Sequence, residues 1–419
     1  MDYLPRSIET AAKDIAHSFK VLFLTGARQV GKSTLLQHTF NTYRQVTFDD
    51  PLLLAQATEE PQLFINDHPA PVLIDEIQYA PHLLPYLKMV VDNSDERGLY
   101  LLTGSQQFHL MRDVSESLAG RVGILELSPL SLREIQKVDF LPYFLPTKNY
   151  LAERRKVAVT CADPWDIIHQ GGYPELQNPD VSWEQYFSSY VKTYIERDIN
   201  DLTKVRDHLK FTQFLTALAA RTGQMLNYQN IANELEISLN TVKNWVSLLE
   251  TSGLIYLLQP FSNNALHRAI KTPKLYFRDT GLVCYLTKWT SADAARSGAM
   301  AGALFETFVI SEIVKSFANV GLDYRLRLSY YRGKDKISRT CDGLRERHES
   351  EIDLIIEENG YLHPVEIKMT GGPKAEMAAA YKVLDTIPHL QRGEGAIVCL
   401  CNEPLSLRED LSAIPIHYL

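Results

Sequence analysis

Residues 21–37 read VLFLTGARQVGKSTLLQ, and few stretches leave a chain so little choice of fold. Val21 to Thr25 is an apolar run without polar alternation, which suits a strand buried on both faces in a parallel sheet. It leads into Gly26, Ala27, Arg28, Gln29, Val30, Gly31, Lys32 and Ser33, spaced as G-x-x-x-x-G-K-[ST], and then into a helix-forming run from Thr34. Strand, glycine loop and helix in this order make a phosphate-binding loop. Glycines let backbone N–H groups curl around phosphate, and the helix N-terminus adds a partial positive charge. The backbone from Gly26 to Thr34 is therefore expected to cradle ATP, with Lys32 on the β and γ phosphates and Ser33 on Mg²⁺.

A parallel strand needs neighbours. PVLIDEIQ supplies a second apolar run, Val72 to Ile74, ending in Asp75 and Glu76. Asp75 is expected in the Mg²⁺ shell, and Glu76 is placed to orient and deprotonate the attacking water. An acidic pair after a strand can also simply open a helix. Val46 to Asp50 reads as another strand of the same sheet. LYLLTGSQ gives a further strand ending in Thr103, Ser105 and Gln106, polar groups suited either to sensing the γ-phosphate or to capping the strand. Ile124 to Leu127 follows, preceded by Arg121, a candidate arginine finger for a neighbouring subunit's nucleotide.

Residues from about 21 to about 135 resemble the AAA-type ATPases of the additional-strand P-loop class. That strand order is expected to set the acidic pair beside the strand of the phosphate loop. GARQVGKST, LIDEIQ, LLTGSQ, LAGR and ELSPLSLREI together are similar to one bacterial and archaeal ATPase family, whose members carry a C-terminal region labelled as of unknown function. The resemblance implies ATP hydrolysis and a homo-oligomer, with a ring plausible.

The remaining chain is long. At 419 residues two or three domains are expected. The first residues lack a signal-peptide core, no apolar run approaches the roughly 20 residues that span a bilayer, and no membrane partner is expected. Cys161, Cys284, Cys341, Cys399 and Cys401 lack metal spacing, and their odd number argues against a disulfide framework; a cytoplasmic location fits best. A net charge of −8 means that any nucleic-acid surface must be local.

After a proline- and charge-rich stretch come Gly171-Gly172, which call for positive φ or close packing, and an amphipathic helix ending in Glu196-Arg197-Asp198, read as a solvated salt-bridged face. A helix Gln229 to Leu235, a turn at residues 236–238, a second helix capped by Asn240, and the strand-like LIYLLQPF resemble a winged helix. Asn240, Thr241, Lys243 and Asn244 would face DNA; a protein-contact role remains open. PKLYFRDTGLVCYL reads as a strand and helix, with turn chemistry at Asp279 and Gly281.

The last quarter opens with a helix from about Gly302 to Phe317 that buries one apolar stripe and carries Glu306 and Glu312. A strand and basic loop follow, with Arg325, Arg327, Arg332, Lys334, Lys336 and Arg339 interleaved by Tyr330 and Tyr331: either a nucleic-acid patch or a solvated loop. EIDLIIEENGYLHPVEIK is a β-hairpin about Asn359-Gly360. Its register sets Asp353 opposite Glu366 and Glu351 opposite Lys368, with Ile352 meeting Ile367 and Leu354 meeting Val365 on the other face. Opposed carboxylates repel unless a cation lies between them, so a hard divalent ion is expected there. A helix glutamate (Glu306 or Glu312), Asp353, Glu366 and Lys368 resemble the PD-(D/E)XK nucleases, although Ile352 stands where that family usually has proline. The resemblance implies Mg²⁺ on Glu306, Asp353 and Glu366, with Glu366 and Lys368 at the chemistry.

These readings combine into an α/β chain. An AAA-type ATPase domain spans 1–140, a helical connector 141–205, a winged-helix-like unit 206–290 and a restriction-endonuclease-like α/β domain 291–419. The leading function is ATP-driven remodelling or translocation of duplex or branched DNA, which the last domain grips or cuts. The alternative is a nucleotide-switched protein-interaction ATPase with an inactive nuclease-like domain.

Overall fold

A computed structural model describes residues 3–104, 114, 116–160, 163–195, 208–262, 272–339 and 345–419, without the side chains of 194, 195, 208, 334–339 and 345–349. Ser105, Gln106, Cys161, Glu196, Arg197, Asp198, Cys341 and the side chains of Lys334, Lys336 and Arg339 lie outside the described residues.

The apolar runs form a five-stranded parallel sheet: β1 (Val21–Gly26), β2 (Arg44–Thr47), β3 (Val72–Asp75), β4 (Tyr100–Thr103) and β5 (Val122–Leu127), in the order β2-β3-β4-β1-β5. β1, β3 and β4 are buried at every residue, as unalternating runs require. The expected neighbourhood of β1 and β3 is corrected: β4 lies between them. Because all strands are parallel, their C-terminal ends still share one edge, and Ser33 and Asp75 meet there.

The middle holds helices His208–Ala219, Tyr228–Leu235 and Leu239–Thr251, then an antiparallel hairpin of β6 (Ile255–Leu258) and β7 (Lys274–Phe277). The cap of the third helix is Ser238, not Asn240; its Oγ accepts from Thr241 N at 3.0 Å. Asn240 falls inside the first turn, and it is exposed together with Lys243 and Asn244.

The last unit is a mixed sheet of β8 (Leu328–Arg339), β9 (Arg345–Glu358), β10 (Tyr361–Lys368), β11 (Gln391–Arg392), β12 (Gly395–Cys399), β13 (Leu405–Arg408) and β14 (Leu411–Pro415). Its order is β13-β14-β12-β10-β9-β8, with β11 beside β10. β8, β9 and β10 run antiparallel, whereas β10, β12 and β14 run parallel. The expected basic loop is instead strand: β8 and β9 pair out to Arg339 and Arg345.

The β9–β10 hairpin turns at Asn359 (φ 50°) and Gly360 (φ 82°), and it pairs Glu358 with Tyr361 and Leu354 with Val365, as the sequence predicts. Beyond that point the expected alternation breaks. The β8 partner sequence slips from Ser329↔Ile355 to Tyr331↔Ile352, so β9 carries an extra residue. Ile352 therefore joins Ile355 on the outer core, whereas Ile367 packs with Leu354, Ile356 and Val365 on the inner one. The Asp353 carboxylate takes the ladder's place by accepting from Ile367 N at 2.9 Å.

One apolar cluster runs from Ile8, Leu22 and Leu24 through Phe187, Phe214 and Val246 to Phe308, Ile313, Val365 and Leu419. The helix Ala301–Ala318 lies at its centre and is buried nearly all round rather than along one stripe. Helix, sheet and middle unit cover it from different sides. Among the described residues, no helix is long and apolar enough to cross a membrane.

Candidate active site and a second carboxylate cluster

The phosphate loop leaves β1 through Gly26, whose φ of 146° and tight fit both demand glycine. A Cβ there would lie 2.2 Å from Leu127 O on β5. Gly31 caps the helix Lys32–Thr39 at φ 92°, and Gln29 also has positive φ, so the loop curls as phosphate binding needs. Lys32 is buried and donates from Nζ to Ala27 O at 2.9 Å and Gly26 O at 3.2 Å.

Ser33 Oγ donates to Asp75 Oδ1 at 2.7 Å, and Thr103 Oγ1 donates to the same oxygen. Thr103 in turn accepts from Glu76 N at 3.2 Å. The helix after the phosphate loop is thus joined to the ends of β3 and β4 through three oxygens. Glu76 sits at φ 58°, and its carboxylate accepts from Gln78 Nε2. Hydroxyl and carboxylate oxygens beside an ammonium group are the hard donor set that fits Mg²⁺ and a triphosphate.

The sequence reading missed Arg6. Its buried guanidinium donates to Val30 O in the loop at 2.9 Å, to Ser128 O at 2.7 Å, and to Glu134 Oε1 at 3.1 Å. A cavity of about 270 Å³ opens beside it, lined by Tyr3, Leu4, Val30, Gly31, Thr34 and Pro174. Arg121 lies at the start of β5, paired with Asp92, whereas the phosphate loop leaves the opposite end of β1. The Val21↔Val122 to Gly26↔Leu127 register puts Arg121 roughly 20 Å along the strand from that end.

The Gly171-Gly172 pair shows both expected properties. Gly171 has φ 81°, and a Cβ on it would meet Asp279 Oδ1 at 2.5 Å; one on Gly172 would meet Leu130 O at 2.4 Å. Asp279 is more than turn chemistry: it accepts from Gly172 N at 2.7 Å and from Leu282 N at 2.9 Å. Glu312, offered as an alternative metal ligand, faces elsewhere. It accepts from Leu132 N at 2.7 Å and pairs with Lys315 at 2.8 Å, so it braces the ATPase domain against the helix Ala301–Ala318.

The second cluster gathers Glu306, Asp353, Glu366 and Lys368 with Lys274, Tyr276 and Glu351. Lys368 Nζ lies 2.6 Å from Glu366 Oε1 and 3.5 Å from Asp353 Oδ2. Lys274 Nζ lies 2.6 Å from Glu351, 3.3 Å from Glu306 and 3.9 Å from Asp353, and Tyr276 donates to Glu306 at 2.6 Å. Burial and then the Asp353 charge push Glu366 up to about 8, and the same two causes raise Glu306. Burial opposes the charge on Lys368, but Asp353 and Glu366 more than offset it. Among the described residues, no three His, Cys, Asp or Glu side chains are arranged to hold a metal ion. As they stand, these carboxylates do not fit one; lysines separate them instead.

The expected basic patch is partly spent on ion pairs. Arg325 pairs with Glu126 at 3.3 Å, Arg327 pairs with Glu358, and Tyr330 is buried with its hydroxyl donating to Thr272 O. Cys284, Cys399 and Cys401 are buried free thiols.

Residues 18–136 match a family described as an AAA domain, and 162–293 and 301–419 match two families described as domains of unknown function. The uncharacterized protein Rv2008c of Mycobacterium tuberculosis is 27% identical over 95% of this chain and 80% of its own. MJ1544 of Methanocaldococcus jannaschii, also uncharacterized, is 23% identical over 64% of this chain and 62% of its own. The Walker-type ATPase PABY2304 of Pyrococcus abyssi covers 68% of this chain and 96% of its own, at 17% identity and a TM-score of 0.39. With the AAA-domain match confined to 18–136 and the Lys32–Ser33–Asp75 geometry in place, the chain is a P-loop ATPase whose first domain is similar to AAA domains.

Proposed function

We propose that this ATPase couples turnover to DNA, engaged by the winged-helix-like middle and a nuclease-like C-terminal domain. The observation that carries the coupling is the brace between Leu132 and Glu312, seated in an apolar cluster shared by every unit. A change at the phosphate loop reaches the last sheet through packed, hydrogen-bonded contacts rather than a free linker.

In the ATP site, Lys32 binds the β and γ phosphates, and Ser33 and Asp75 hold Mg²⁺. When bound, that ion neutralises charge on the phosphates. Glu76 orients the attacking water and accepts its proton at a carboxylate oxygen, while Thr103 keeps Asp75 and Glu76 in register. The cavity walled by Tyr3, Leu4 and Pro174 takes the base and ribose. Arg121, at the opposite end of the strands and paired with Asp92, serves a neighbouring subunit of a homo-oligomer only by leaving that pair.

Exposed Asn240, Lys243 and Asn244, together with the β8–β9 ribbon, support DNA as the partner, because a two-stranded ribbon fits a major groove. The antiparallel-then-parallel sheet bearing Asp353, Glu366 and Lys368, with Glu306 on the helix Ala301–Ala318 beside it, supports the restriction-endonuclease-like reading. The lysine-separated carboxylates favour the second reading, a nucleotide-switched protein-interaction ATPase with an inactive nuclease-like domain. ATP turnover measured against duplex, branched and single-stranded DNA decides between partners. Stimulation by any of them supports the DNA reading, and turnover indifferent to all of them supports a protein-directed switch.

A further inference from the structure

The cation expected between the opposed carboxylates is supplied by the chain itself. Lys274 stands on β7, in the middle unit, yet Glu306, Glu351 and Asp353, with which it forms ion pairs, all belong to the C-terminal unit. Its side chain is only 4% exposed, and Nζ sits 5.6 Å from the centre of the Tyr330 ring. A lysine this buried is retained in charged form only by close carboxylates. Burial lowers its affinity for the proton, and Glu306, Asp353 and Glu351 raise it further than burial lowers it.

The docking is built from both sides. Tyr276, two residues along β7, reaches the same Glu306. Phe261 N donates to Tyr330 O at 2.6 Å, and Tyr330 N donates to Gln259 O at 3.0 Å, which fastens the segment after β6 to β8. Among the described residues, Glu306, Glu351, Asp353 and Glu366 gather about Lys274 and Lys368, and Glu366 Oε2 is buried without a hydrogen-bond partner.

We propose that Lys274 is a tethered cation which the β6–β7 hairpin inserts among Glu306, Glu351 and Asp353, so that hairpin docking and divalent-cation binding exclude one another. The site is thereby kept closed to metal while the hairpin is seated, and withdrawal of β7 would expose a set of hard oxygen donors. The inference concerns cation binding and does not depend on DNA being the partner or on cleavage.

Nucleotide-free full-length protein titrated with Mn²⁺ tests it, by calorimetry and by thermal unfolding. Lys274→Met is expected to bind Mn²⁺ about tenfold tighter than wild type, because a competing charge has left the oxygen set. Mn²⁺ should also raise its melting temperature more than that of wild type, since a ligand of the folded state stabilises it. Both gains should vanish in Lys274→Met/Asp353→Asn, which separates this site from the phosphate loop. Lys274→Gln repeats these arms if the methionine variant does not fold. Wild-type Mn²⁺ binding that is as tight as the variant's and is lost in Asp353→Asn overturns the proposal. So does a folded Lys274 variant that gains no Asp353-dependent binding.

Discussion

Lys32 donates to two carbonyls of its own loop, and Ser33 and Thr103 share one oxygen of Asp75, the arrangement on which the proposed ATP site rests. Lys32→Ala removes the charge that the proposed site sets against the γ-phosphate. ATP turnover should fall by about 10²-fold or more while melting stays near wild type. Retained turnover would dismiss the site. Arg6 and Glu134 form a buried pair with side chains 4% and 2% exposed. Burial raises the Glu134 carboxyl, but Arg6 and the Ser131 and Ser7 amides outweigh it and leave its pKa depressed. A depressed acid contributes stability that is fully present above its unfolded pKa, roughly 4.3, and lost as pH falls through the folded value. Glu134→Gln should therefore cost about 3–5 kcal/mol at pH 7, and the gap to wild type should narrow in acid unfolding curves. A gap constant with pH would deny the pair its charge. The phosphate-loop residues were legible in sequence because their chemistry is local and consecutive. Arg6 and Lys274 were not, since each is a lone cation whose partners lie far along the chain. The one local hint was Lys274, Tyr276 and Arg278 alternating on one face of a strand otherwise apolar.

Strands and turns were read where periodicity speaks for itself. The Asn359-Gly360 turn fixed the hairpin register as far as Leu354↔Val365, because two left-handed residues set strand pairing directly. The slip beyond it was invisible, as an added residue in β9 leaves no compositional mark. The same holds for caps: Ser238 rather than Asn240 accepts from Thr241, and both are good cap types only two residues apart. Ser238→Ala should cost about 1 kcal/mol in chemical denaturation, whereas Asn240→Ala should cost almost nothing. The reverse order would restore Asn240 as the cap. Close packing at Gly172 is a sharper element-scale case. Alanine there puts a methyl 2.4 Å from Leu130 O, a backbone atom that cannot rotate away. The joint between the connector and the ATPase domain must then open, at a cost of about 1–3 kcal/mol. Melting curves of Gly172→Ala unchanged from wild type would show that the joint yields freely.

At the scale of the molecule, the sequence divides into units of different composition, yet the largest apolar cluster crosses all of them. The helix Ala301–Ala318 is the reason: its residues are buried against the ATPase domain, the β6–β7 hairpin and the last sheet at once. Polar struts reinforce the same seam. Glu312 holds Leu132 N, Lys315 donates to Leu130 O at 3.0 Å, and Arg133 Nε donates to Leu419 O at 2.8 Å. Arg278, one residue past β7, pairs with Glu126 of β5 at 2.8 Å, so the strand that carries Lys274 is anchored to the ATPase sheet as well. A core continuous across units melts as one, because opening any unit exposes apolar surface on its neighbours. Calorimetry of the full chain should give a single transition with equal calorimetric and van't Hoff enthalpies. Glu312→Gln leaves Lys315 buried with a neutral partner and should lower stability by about 3–5 kcal/mol. If the seam transmits as argued, that variant should also split the transition, with the ATPase domain and the C-terminal sheet melting apart. A wild-type protein that already melts in two steps would place the boundary where composition suggested, and ATP turnover could then reach the second carboxylate cluster only through a flexible linker.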